Sequence, residues 1–142
     1  MSSEDVRSAI NAAVETAASP VPVFDLSDYV SLEDCLGSVD ASCVLVQYVA
    51  SDDEVTTIGG YQNQGWAETG SVVLHYMVPT GFASLPAVQK GDQMRKELRG
   101  RRLTNSVVIE ACTPFSDSGG GLYGAAWHGW VANVYYEKTD CG

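Results

Sequence analysis

Residues 66–78 constrain the fold of this chain more than any other stretch. Trp66, Glu68, Gly70, Val72, Leu74, Tyr76 and Val78 alternate with Ala67, Thr69, Ser71, Val73, His75 and Met77, the two-residue period of a β-strand. The first half carries polar residues on both faces, and the second half is apolar on both. A strand that is apolar on both faces must be covered on both. This segment is therefore expected at the centre of a sheet, and Pro79-Thr80-Gly81 ends it.

Two amphipathic segments can supply cover. Over residues 3–18, Val6, Ala9, Ile10, Ala13, Val14 and Ala17 form one apolar helical stripe. Ser2 or Ser3 can cap this helix, Glu4 and Asp5 suit the positive end of its dipole, and Pro20 stops it. Small alanine and valine side chains suit close packing on a sheet or a neighbouring subunit. A second helix is expected over 85–99, capped by Ser84 and closed by Gly100, with Leu85, Val88, Met94 and Leu98 on one face and Gly91 giving close approach. Further strands are expected at 43–49, 54–58, 105–113 and 127–136, with a short extended piece at 21–24. Asp52-Asp53-Glu54 and Gly59-Gly60 read as turns, and Ser116–Gly121 as a flexible loop. The order implies an α+β fold: a mainly antiparallel sheet of about four to five strands with two helices packed on it.

A length of 142 residues suits one domain spanning 1–142. With 45% apolar and 18% charged residues the composition is globular rather than disordered. The formal charge of −10 argues against a nucleic-acid clamp, which needs a basic footprint. The N-terminus lacks the basic and apolar regions of a signal peptide, and no run is long and apolar enough to span a membrane. Cys35, Cys43, Cys112 and Cys141 fit no zinc spacing; Cys43 and Cys112 sit in apolar strand-like runs, which favours reduced thiols in a cytosol-like compartment.

No constellation for catalysis stands out. Ser116-Asp117-Ser118-Gly119-Gly120 resembles the nucleophile string of chymotrypsin-like proteases, but His128 follows it, His75 sits inside a strand, and the chain is too short for two barrels. The same glycines lack the Lys-Ser or Lys-Thr of a phosphate loop, and Asp52-Asp53-Glu54 lacks the ligand spacing of a calcium loop. The two histidines read as hydrogen-bonded strand residues. No catalytic residue, metal ligand or cofactor is therefore assigned, and the chain is not expected to be an enzyme.

The charge is unevenly spread. Lys90, Arg95, Lys96, Arg99, Arg101 and Arg102 lie within 13 positions, whereas residues 1–89 hold twelve acids and one cation, Arg7. Cations at a helix end complement its dipole, which accounts for Lys96 and Arg99 without any partner. A concentrated basic edge on an acidic body also favours head-to-tail association with an identical neighbour. Arg95, Arg99, Arg101 and Arg102 are accordingly candidate contact residues. The loop 116–124, with Asp117, Gly119, Gly120 and Gly121, is a second candidate.

The N-terminal helix, acidic connector and tryptophan-bearing strand lead into Tyr76-Met77-Val78-Pro79-Thr80-Gly81, and the helix Ala87–Leu98 stops at Arg99-Gly100. Two strands follow, the last containing Trp130-Val131-Ala132-Asn133-Val134-Tyr135-Tyr136. From about residue 3 to 137 this string resembles the tail terminator (tail completion) family of long-tailed bacteriophages and related tailed particles. Its specific part is the block at 66–110: strand, Pro-x-Gly, helix with Asp92 and Arg95 at the family-like positions, glycine, strand. Leu98 stands where an aromatic is usual, and Gly91 is unusual in mid-helix.

The resemblance implies a structural virion protein at the head-proximal end of the tail, assembled in the host cytoplasm. It implies a homo-oligomeric, hexameric ring that caps the tail tube, ends its polymerisation and provides the head-joining surface. Its partners would be the major tail tube protein and a head-completion or neck protein. DNA would pass through the lumen without specific binding, which acidic walls favour. A head-side neck or connector protein is the alternative, and it would bind the head with no affinity for tubes.

Overall fold

The computed structural model describes residues 4–29, 35, 41–57, 65–81, 85–104, 106–119 and 127–141, with backbone alone at 50–57, 65–66, 118–119 and 140–141. In chain order the elements are α1 (Glu4–Ala18), β1 (Val23–Asp25), a 3-10 turn (Leu26–Asp28), β2 (Cys43–Thr57), β3 (Gly65–Pro79), α2 (Leu85–Leu98), β4 (Val107–Cys112), β5 (Ser116–Gly119) and β6 (Trp127–Cys141). The fold is α+β. One sheet runs β1-β2-β3-β6-β4, and β5 pairs with β6. Apart from the parallel β1–β2 pair, the ladders are antiparallel.

The alternating strand holds the position its sequence demands. β3 lies between β2 and β6, and its apolar half is buried from both sides. On one face Val72, Leu74, Tyr76 and Val78 meet the α1 stripe (Val6, Ile10, Val14, Ala17) and Met94 and Leu98 of α2. On the other, Met77 joins Cys35, Cys43 and Leu45 in a smaller cluster under Phe24, Leu26, Tyr29 and Trp127. The small residues of α1 therefore serve sheet packing within the subunit. Cys35, Cys43 and Cys112 are buried free thiols; burial, with Cys35 nearby, pushes the Cys43 thiol up to about 12, and burial pushes Cys112 up to about 11.

The sheet is larger than expected, for identifiable reasons. β2, β3 and β6 have 15 residues each, so each spans about 50 Å, against about 22 Å for α1. Asp52-Asp53-Glu54 is not a turn: β2 continues through it, opposite Thr69, Glu68 and Ala67, with bulges near Tyr48 and Val55. The ladder to β3 outweighs the poor strand propensity of adjacent acids. β6 likewise runs past Tyr136 to Cys141 because β3 accompanies it to Gly65. The first part of the expected loop, Ser116–Gly119, is instead strand β5. With β1 this raises the count to six strands. Gly59-Gly60, Gly120, Gly121, the rest of the loop to 124, and the capping serines Ser2, Ser3 and Ser84 lie outside the described residues.

Helix α2 closes as expected on Gly100 (φ +68°), a left-handed conformation that glycine adopts without a Cβ clash. The basic residues that follow are then tied to the sheet edge. Ile109 N donates to Arg101 O (2.8 Å), Leu103 N to Val107 O (2.9 Å), and Arg102 bridges Val108. The outer border of β4 thus carries Arg101 and Arg102 on a fixed backbone, both with exposed side chains.

Candidate functional site

β4 and β5 lie end to end along the same side of β6: Val107–Cys112 pair with residues 134–138, and Ser116–Gly119 with 129–131. Between them the chain leaves the ladder for three residues, Thr113-Pro114-Phe115. Thr113 holds the register, since its N–H donates to Asn133 O (2.9 Å) and its Oγ1 accepts from Asn133 N (2.8 Å). Pro114, which has no N–H to give, suits the break. Phe115 is lifted towards α2, where it lies over Gly91 and meets Tyr76 edge-on with ring centroids 6.4 Å apart.

This jog opens a groove of about 340 Å³ between α2 and the sheet edge. Val88, Gln89, Asp92 and Arg95 line it from α2, and Pro114, Phe115 and Trp130 from the edge. Sequence periodicity placed Leu85 and Val88 on the core face of α2. The structure turns the helix so that Ala87, Gly91, Met94 and Leu98 are buried, leaving Leu85 63% and Val88 48% exposed. Gly91 lies under the Phe115 ring, where an added Cβ would come within 3.1 Å of Cδ2, closer than a ring comfortably packs.

The charges of the basic band divide into engaged and open groups. Lys90 Nζ donates to Ser19 O (2.7 Å), tying α2 to the end of α1. Lys96 pairs with Asp92 (3.0 Å) one helical turn away, a solvent-exposed contact of small energetic weight. Arg99 and Arg101 are exposed and make no ion pair among the described residues. Arg95 is half-buried at the groove wall, and its Nε is buried with no hydrogen-bond partner among the described residues. With Asp92 turned to Lys96, the groove presents an aromatic and aliphatic floor beside an under-satisfied cation. Such a surface recognises an anionic group that carries apolar atoms beside it.

The two sequence-derived candidates converge here. Arg95 lines the groove, and the 116–119 part of the second candidate begins at its floor, with Asp117 opposite Trp130 in the β5–β6 ladder. Asp117 is held by His128, whose Nε2 lies 2.8 Å from its Oδ1, and the His128 ring lies tilted against Trp130 with centroids 4.5 Å apart. Gly119 pairs with Gly129. Arg99, Arg101 and Arg102 continue from the helix end along the β4 border. Phe115, Pro114 and Trp130 were not singled out from sequence as site residues; the mid-helix Gly91 was the one signal of a close approach there.

The histidines have partners, as read. His75 Nε2 lies 2.9 Å from Gln47 Oε1, and burial lowers its pKa from the ordinary value. No three His, Cys, Asp or Glu side chains among the described residues are grouped as metal ligands would be. Among those residues no helix is long and apolar enough to cross a membrane.

No family model and no curated protein sequence matches the chain. A solved structure that carries a sequence identifier and no functional name matches it with a TM-score of 0.52 and 16% identity, over 97% of this chain and 96% of that one. At this identity the likeness concerns the fold alone. The arrangement of two helices on one face of a mainly antiparallel sheet therefore has a precedent along nearly its whole length.

Proposed function

We propose that this chain is a structural subunit of a tailed virion. It forms a ring, hexameric as in the resembled family, that caps the head-proximal end of the tail tube, ends tube polymerisation and provides the head-joining surface. The observation that carries this reading is the block at 66–110. Its strand, Pro-x-Gly turn, helix with Asp92 and Arg95, glycine stop and strand resemble the tail terminator family, and they form consecutive elements of one sheet-and-helix unit.

Three features support the reading. The open cations Arg99 and Arg101 and the groove at Arg95 offer surfaces for protein contact. The acid surplus suits a passage through which DNA slides without being held. The 15-residue strands β2, β3 and β6 give the subunit a long sheet, with the cations gathered beside its β4 edge.

Charge reversal at both Arg101 and Arg102 tests the reading. The side chains are exposed, so the doubly reversed monomer should keep its fold by circular dichroism. Assembly into head-joined particles should fall at least tenfold, since reversing rim charges replaces attraction by repulsion. Particles that join heads and tails normally with this variant would contradict the contact assignment. A chain that binds heads but not tube ends would shift the reading to the neck protein.

A further inference from the structure

The two lateral edges of the sheet differ in their cations, which gather on the α2 and β4 side together with the acids Asp92, Glu97 and Asp117. At the β1 edge stand Asp25 and the exposed Asp28. Arg7, the one cation of residues 1–89, is turned inward there: Nη1 donates to Ser27 Oγ (2.6 Å), and its guanidinium lies 4.5 Å over the Tyr48 ring. At the opposite edge, β4, stand Arg95, Arg99, Arg101 and Arg102 beside the groove. Glu110 and Glu137 share that border and are hydrogen-bonded to each other.

The groove itself lacks a component. Arg95 Nε is a buried donor with no partner among the described residues, and such a donor is costly to leave unmet. A carboxylate meets it with a charge-assisted hydrogen bond. The rim adds Leu85 and Val88, large apolar side chains that are 63% and 48% exposed. Phe115, Trp130 and Arg95 in the groove are of the residue types enriched in protein contacts.

We propose that this groove receives the acidic β1 edge of a second copy of the chain, with Asp28 of one subunit meeting Arg95 of the next. The inference rests on the ring reading above and names its contact surfaces. The two patches lie on opposite edges of the sheet, roughly 20 Å apart at the usual strand spacing. Side-by-side copies that join the β4 edge of one to the β1 edge of the next each leave their other edge open for a further copy, which is a head-to-tail contact. Such heterologous contacts close into a ring where the rotation between copies closes, as the ring reading requires.

The purified full chain tests this by sedimentation velocity. The wild type should sediment as a closed oligomer that weakens with added salt. Asp28→Lys and Arg95→Glu should each weaken association at least tenfold, and the two together should restore it. Because Arg95 is half-buried, Val88→Glu at the exposed rim provides a second disruption that spares the fold. An oligomer unchanged by both Asp28→Lys and Val88→Glu overturns this interface and leaves the ring reading standing. A wild type that stays monomeric at the highest attainable concentration contradicts the ring reading and the interface with it.

Discussion

Single side chains tie α1 to the sheet through polar contacts as well as apolar ones. Tyr48 OH lies 2.7 Å from Asn11 Oδ1 and 3.1 Å from Arg7 O, while Asn11 Nδ2 donates to Asp25 (3.0 Å). Burial opposes the charge on Asp25, but Asn11, Ser27 and the nearby Arg7 more than offset it and hold its carboxyl below the ordinary value. That stabilisation is present above the usual carboxylate range and is lost as pH falls through the lowered value. The opposite sign holds across the molecule. The hydrogen bond from Glu137, then burial and mutual repulsion, raise Glu110 above its ordinary value. A shared proton thus favours the fold in acid, and the contribution is gone once pH has risen through the raised value. Glu137→Gln should therefore stabilise the chain at neutral pH by a few tenths of a kcal/mol, the scale of a cross-strand pair. The gain should vanish near about pH 4, where carboxyls protonate. Urea midpoints at the two pH values check this, and an equal gain at both would contradict it. None of these pairs was legible in the sequence, because Glu110 and Glu137 or Asn11 and Tyr48 meet only through strand register and helix placement.

Element by element, the sequence was most informative where periodicity met a single requirement. The alternation at 66–78 identified β3 and its central place, and the alanine-valine stripe identified α1 and its buried face. The helix 85–98 was legible in extent and in the burial of Gly91, Met94 and Leu98, but not at its start, where Leu85 and Val88 are exposed. Leu85 and Val88 satisfy a helical period, yet Val88 faces a groove whose other wall, with Phe115 over Gly91, comes from far along the chain. The acidic run in β2 misled for a similar reason: pairing with β3 decided its conformation, not its own residues. Gly91→Ala tests the packing account of α2. Helix propensity alone predicts a gain of about 1 kcal/mol, but the added Cβ would lie 3.1 Å from Phe115 Cδ2. Overpacking of this kind typically costs about 1–3 kcal/mol. The net result expected is a loss of roughly 1 kcal/mol in denaturant unfolding; a more stable variant would show that Phe115 yields without cost. The groove was legible only as its basic half, since its aromatic half comes from the later strand break at Thr113-Pro114-Phe115.

For the whole molecule, the central quantity is the formal charge of −10 and its placement. In the proposed interface, Asp28 at the β1 edge and the cations at the β4 edge would give the subunit a direction, and head-to-tail contacts of that kind form a ring where the rotation between copies closes. A ring of six copies, as proposed, would carry a formal charge of −60, which would not trap DNA. The proposed role of such a ring is to end the tail tube. Electron microscopy of particles assembled with and without this chain measures that directly. Without it, tails of unregulated length that fail to join heads are predicted, and added wild-type chain should restore both length and joining. Tails of normal length, joined to heads, in its absence would contradict the claim.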